Sequence, residues 1–277
     1  MKYLRITSIA FLIALLGVPV MEAQSLKGMS LNGSTGLYSI PSGRIGWEQS
    51  SDFGLDLGYH AIINEGTATH IPKLSMSLFK FKELSAVFDV QPYRYRTHDR
   101  ESDFIGGIKI QFPLTNTGIA LGGNIQALNI DHSDHSDHPE YTRYHRYNAG
   151  QVYVAVTYAG EFFTMPAETT VVLGKTFVED RTDSNIDFGM GFDMVLFPSV
   201  FQHFLHWITD FSNFSYSVEA FGADGGSRGV LNTGIRFDLA AIPALSKFKF
   251  IIDVLMADAF DDNRSFSVGA VFGIPIK

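Results

Sequence analysis

The chain has 277 residues, no cysteine and a formal net charge of −8. That is enough chain for one substantial core or one barrel, without disulfide support. The acidic charge is spread rather than blocked, which gives nucleic acid no basic surface to meet. Gly 26 and Phe 24 against Trp 2 describe a chain rich in small and aromatic residues, as in barrels whose inner faces are crowded.

Lys2 and Arg5 precede the apolar stretch 6–20, and Met21-Glu22-Ala23-Gln24 follows it. Charge, apolar run and small residue stand in the order of a secretory signal peptide, so residues 1–23 are assigned to one cleaved near Ala23. The other reading is a buried N-terminal helix. No cysteine follows the run, which excludes a lipid-modified N-terminus. Beyond Ala23 no run of about eighteen apolar residues occurs, so any membrane crossing must use strands.

Residues 24–50 form an N-terminal periplasmic or plug segment containing Gly33-Ser34-Thr35-Gly36-Leu37-Tyr38-Ser39-Ile40-Pro41-Ser42-Gly43-Arg44. This stretch resembles the opening of YjbH-type outer-membrane proteins: a Gly-Leu, a hydrophobic residue, then Pro, Ser or Thr, a small residue and Arg. It departs at Gly43, where alanine is more usual, and many such proteins are much longer. The resemblance implies an envelope β-barrel associated with exopolysaccharide production or export, with Gly36, Leu37, Pro41, Ser42 and Arg44 as its motif residues. From the residues alone, Pro41 holds Ile40 extended while Gly36 and Gly43 permit tight paths. The segment therefore suits either a lumenal plug, with Arg44 meeting Asp56 or Asp89, or a short periplasmic arm.

From residue 51 onward the dominant signal has period two. Phe53, Leu55, Leu57, Tyr59, Ala61 and Ile63 alternate with Asp52, Gly54, Asp56, Gly58 and His60, giving one apolar and one polar or small face. Ile186 to Leu196 and Phe266 to Ile276 repeat it. The same test predicts strands over 52–63, 70–81, 83–95, 103–114, 118–131, 147–159, 168–180, 184–197, 214–223, 229–241, 247–259 and 265–276. Within 168–180 either register fits, and 118–131 loses alternation near Leu128.

Twelve is even, as single-chain bacterial barrels require, and runs of about ten to fourteen residues exceed the usual soluble strand of about five or six. The connections 64–67, 96–102, 131–146, 179–184, 224–228 and 261–265 are polar, as outer loops are, whereas 81–83 and 113–118 are tight. Phe79, Phe81, Phe112, Phe162, Phe163 and Phe197 fall near one rim, like an interfacial girdle. The expected fold is all-β: a transmembrane antiparallel barrel of about twelve strands over 51–277, lodged among outer-membrane lipid. In 198–213, Phe201, Phe204, Leu205 and Ile208 have helical spacing, with Trp207 suited to an interface, and predict an inner-side amphipathic helix.

Three constellations could carry chemistry. His132, His135 and His138 in Asp131-His132-Ser133-Asp134-His135-Ser136-Asp137-His138 could bind Zn²⁺ or Cu²⁺, but a flexible polar loop needs no ligand to explain it. Ser133 and Ser136 sit beside histidines without a fixed nucleophile and base, no strand has His and Ser at i and i+2, and His203 and His206 fall in the predicted helix, so no enzyme and no cofactor are expected. Asp56, Lys73, Asp89, Lys109, Asp187, Asp193, Glu219, Arg236, Asp238, Lys249 and Asp253 fall on polar faces and would line the lumen, either as an aqueous path or as charges neutralising one another. These features lead to a non-enzymatic envelope barrel for transport or biogenesis, with polysaccharide or a small solute as candidate passengers. A structural or adhesive surface protein with binding loops is the alternative.

Overall fold

The computed structural model describes residues 28–48, 51–64, 67–90, 102–130, 145–178, 186–201, 203–213, 229–260 and 264–276. The expected signal peptide, 1–23, lies outside them. Twelve strands run β1 (Phe53–Asn64), β2 (Thr67–Leu78), β3 (Lys82–Val90), β4 (Ser102–Pro113), β5 (Thr117–Ile130) and β6 (His145–Phe162), then β7 (Met165–Val178), β8 (Asp187–Val195), β9 (Leu205–Ser212), β10 (Val230–Asp238), β11 (Lys249–Ala257) and β12 (Ser265–Ile276). Each pairs antiparallel with its neighbours in sequence, and β1 pairs with β12 through Leu55↔Ile274, Leu57↔Phe272 and Tyr59↔Ala270. The ring is closed, so no backbone edge is bare.

Alternation decides which way each strand faces. On β12 Ser265, Ser267, Gly269 and Gly273 are buried inward, while Phe266, Val268, Phe272 and Ile274 are exposed outward. In β7 Glu168, Thr170 and Val172 face in and Val171, Leu173 and Phe177 face out, which settles a register the sequence leaves open. A closed barrel with an apolar outer face is stable only where the outer solvent is itself apolar. The protein is a bacterial outer-membrane barrel.

The inner rim is the end with the tight turns, since outer-membrane barrels keep their short turns on the periplasmic side. Phe163 and Thr164 form a two-residue turn with φ of 48° and 66°, the I′ geometry that matches strand twist. A bulky residue there is strained, and Phe163 is 85% exposed at the rim. Exposed Phe79, Phe81, Phe112, Phe162 and Phe197 continue the collar.

The expectation of a helix across 198–213 is corrected. Among the described residues of this stretch only α1 (Pro198–Phe201) is helical, and the ninth strand is β9 at Leu205–Ser212; the strand expected over 214–223 lies outside the described residues. In β9 His206, Ile208, Asp210 and Ser212 are buried inward, while Trp207 is exposed outward. Period two was present, but Ile208 on the inner face disguised it. Ile208 is apolar because it joins a buried cluster with Leu37, Tyr38 and Ile40, residues from inside the barrel.

Candidate functional site

Residues 28–47 are all buried, and they are held by inward side chains of strands around the ring. The segment folds on itself through isolated bridges Met29↔Thr35 and Gly36↔Pro41, with Leu31 N donating to Tyr38 O at 2.8 Å and Gly36 N to Gly28 O at 3.0 Å. Its tip, Ser30 to Ser34, turns at Gly33, whose φ of 82° suits glycine. Asn32 Oδ1 organises the tip by accepting from Ser34 N at 3.0 Å and Ser34 Oγ at 2.7 Å.

Two wall carboxylates grip this plug by its backbone. Glu83 on β3 accepts from Thr35 N at 2.6 Å, Thr35 Oγ1 at 2.7 Å and Gly46 N at 3.3 Å. Asp210 on β9 accepts from Tyr38 N and Ser39 N, both at 2.8 Å, and from Ser39 Oγ at 2.7 Å. Ionised acceptors make the stronger hydrogen bonds, and a buried amide left without a partner is costly. Lys109 Nζ donates to Thr35 O at 2.9 Å and stands 3.4 Å from Glu83 Oε1. Lys73 Nζ donates to Ser30 O at 2.8 Å. Gly43 N donates to Thr157 Oγ1 at 2.8 Å and Ile45 N to Gln111 Oε1 at 2.9 Å.

The motif residues are internal to the plug. Ser42 N donates to Thr35 O at 3.0 Å, and its hydroxyl accepts from Arg44 N at 3.2 Å. Leu37 is buried in the apolar cluster. Gly36 lies so close to Ile40 O that a Cβ would come within 2.3 Å of it. Of its two expected partners Arg44 does not meet Asp56, and the side chain of Asp89 lies outside the described residues: Arg44 Nη1 bonds Glu48 Oε1 at 2.9 Å, and its Nε lies 3.6 Å from Glu168 Oε1. Asp56 is occupied by Trp47 Nε1 at 2.8 Å and Lys249 Nζ at 2.7 Å, with Lys249 also 5.1 Å from the Trp47 ring centroid. Burial pushes the Tyr38 phenol up, which keeps it neutral.

Other wall charges pair among themselves. Arg236 binds Asp253 in bidentate fashion at 2.8 and 3.0 Å and Asp193 at 2.9 Å. Asp193 also contacts His206 Nδ1 at 2.6 Å. His206 therefore belongs to the wall of β9 rather than to a helix. Asp187 accepts from Thr176 at 2.5 Å and Gln151 at 3.1 Å, and Asp238 Oδ1 accepts from Ala240 N at 2.9 Å. The side chain of Asp89 and all of Glu219, His132, His135 and His138 lie outside the described residues. Among the described residues no three His, Asp or Glu side chains are grouped as metal ligands.

Sequence reasoning missed Glu83, Asp210, Gln111, Thr157 and Glu168. Period-two alternation places Glu83 inward opposite Lys109 on β4, so that signal was readable. Asp210 was hidden inside the supposed helix.

No protein-family model and no curated protein sequence matches the chain. Solved structures similar to it include the KdgM porin in complex with disordered oligogalacturonate, at TM-score 0.49 and 7% identity over 80% of this chain and 99% of that one. The Acinetobacter baumannii outer membrane protein Omp33 aligns at TM-score 0.42 and 9% identity over 82% and 98%. The Pseudomonas putida toluene transporter TodX aligns at 0.39 and 9% over 91% and 99%.

Proposed function

We propose that this protein is an outer-membrane transport barrel whose lumen is closed at rest by residues 28–48 and opens when that segment moves. The observation that carries this reading is the interface between plug and wall. It is built of exchangeable hydrogen bonds from Glu83, Lys109, Gln111, Thr157 and Asp210 to plug backbone. An aqueous passage needs the same lining once the plug leaves, because polar inward groups are what water and polar solutes replace. Polysaccharide is the passenger favoured by the resemblance of residues 33–44 to YjbH-type proteins, which makes exopolysaccharide export the specific form of the proposal.

The test is conductance in planar bilayers of the full chain, of Glu83→Gln/Asp210→Asn, and of a variant lacking 28–48. The proposal expects rare openings in the first, frequent ones in the second and a steady open state in the third. A folded, plug-free barrel that conducts nothing would leave a structural surface barrel as the surviving reading.

A further inference from the structure

The inner wall is chemically divided along its axis. Lys109, Arg236 and Lys249 stand near the inner ends of their strands and Lys73 near the middle of β2. The outer half of β5 to β8 carries amides and hydroxyls instead. There a ladder crosses four consecutive strands: Asn124 Nδ2 donates to Gln151 Oε1 at 3.0 Å, Gln151 Nε2 to Thr176 Oγ1 at 3.0 Å and to Asp187 Oδ2 at 3.1 Å, and Thr176 Oγ1 to Asp187 Oδ2 at 2.5 Å. The ladder does not use all its capacity. Asn124 Oδ1 and Gln126 Nε2 are buried without partners. These atoms and the plug tip share one neighbourhood: Tyr153, next inward from Gln151 on β6, bonds Asn32 and Ser34, and Ser85 Oγ donates to Asn32 O at 3.4 Å.

Beside the amides the wall turns apolar. Ile62, Ile71, Val87 and Ile105 of β1 to β4 are buried inward, Ile105 pairing directly with Gln126, and β1 and β2 stand half-way round the ring from β7 and β8. A pyranose ring has this division, with apolar C–H faces and an edge of hydroxyls that both donate and accept. Planar amides with a free donor and a free acceptor satisfy such hydroxyls, and unpartnered buried polar groups call for a ligand that does so.

We propose that Asn124, Gln126, Gln151 and Asp187, with Asn32 of the plug tip as floor, form a binding site for an uncharged carbohydrate chain. The proposal deepens the transport reading and rests on it for its purpose. Asp187 disfavours an anionic sugar, whose carboxylates would meet like charge, and Lys73, level with Val87, is already engaged by Ser30 O of the plug tip. A ligand here touches the plug tip directly, so occupancy and plug position are coupled by contact.

The experiment is isothermal titration of the detergent-purified full chain with maltohexaose, cellohexaose, chitohexaose and, as the anionic probe, hexagalacturonate. At least one neutral oligomer is expected to bind, at least tenfold more tightly than hexagalacturonate. Gln126→Ala is the decisive variant, because Gln126 Nε2 gives up no internal bond; it should weaken that binding about tenfold. Asn124→Ala should do the same, and Thr169→Ala on the outward face of β7 should not. Absence of binding by every neutral oligomer, a preference for hexagalacturonate, or unchanged affinity in Gln126→Ala would each overturn the proposal. Binding in detergent requires no plug movement, so these results stand apart from the conductance test: a full chain that binds no sugar, beside a plug-free barrel that conducts, refutes the site alone.

Discussion

Glu83 on β3 and Asp210 on β9 hold one short segment from opposite walls: each carboxylate accepts two backbone amides and one hydroxyl of the plug, and their strands are half-way round the ring from each other. Neither grip crosses to the other wall, so the plug is the only span between them among these contacts. Replacing either carboxylate by its amide keeps the shape but turns one acceptor oxygen into a donor that faces a donor. Hydrogen bonds to charged groups contribute about 1.5–3 kcal/mol each. Glu83→Gln or Asp210→Asn should therefore raise the frequency of openings in planar bilayers roughly ten- to a hundredfold. Unchanged openings in both would show that these carboxylates do not restrain the plug.

Gly43 and Gly118 bring plug and wall backbones together. A Cβ at Gly118 would come within 2.6 Å of Gly43 O, a distance that backbone must move to relieve. Gly118→Ala should speed hydrogen exchange of the Gly43 and Ile45 amides while the β4–β5 ladder keeps its protection. Equal protection of those two amides in variant and parent would contradict the close approach.

Arg236 is buried between Asp193 and Asp253. Removing it leaves Asp253 without its bidentate partner and Asp193 with His206 alone, and breaking a buried pair in this way typically costs about 3–5 kcal/mol. Arg236→Met should lower the stability of the barrel in urea by about that much. Arg236→Lys should fall between, since lysine cannot reproduce the bidentate fork. A neutral Arg236→Met would mean the network contributes nothing to folding.

The chain's two tryptophans report on opposite surfaces, Trp47 being 6% exposed in the plug and Trp207 40% exposed on the outward face of β9. Brominated lipid should quench fluorescence of the Trp47→Phe variant, which retains Trp207, and leave that of Trp207→Phe unaffected. Quenching of both or neither would contradict the placement of β9 in the wall.

Much of the barrel was legible because one solvent acts on each face. Lipid selects Leu57 and Phe272 outward, and the interior selects Asp56 and Gly273 inward, so β1, β8 and β12 alternate cleanly. The pattern failed where the interior is not wet. Ile208 faces Leu37 and Ile40 of the plug rather than water, and an inward apolar residue beside Leu205 imitates helical spacing. Charge pairing was less legible still. Arg44 joins Glu48 and Glu168, while Trp47 and Lys249 occupy Asp56, because partners depend on how the plug threads the lumen. Strand periodicity carries no record of that path.

A barrel closed by residues 28–48 opens only when that plug moves. Ser39 Oγ and Ser212 Oγ lie 2.8 Å apart, one on the plug and one on β9, and the chain has no cysteine of its own. A Ser39→Cys/Ser212→Cys variant can therefore be oxidised to tie plug to wall through a single disulfide. Conductance in planar bilayers should be absent in the oxidised form and return, with the openings of the parent chain, once reductant is added. Identical records before and after reduction would show that the barrel opens without plug movement.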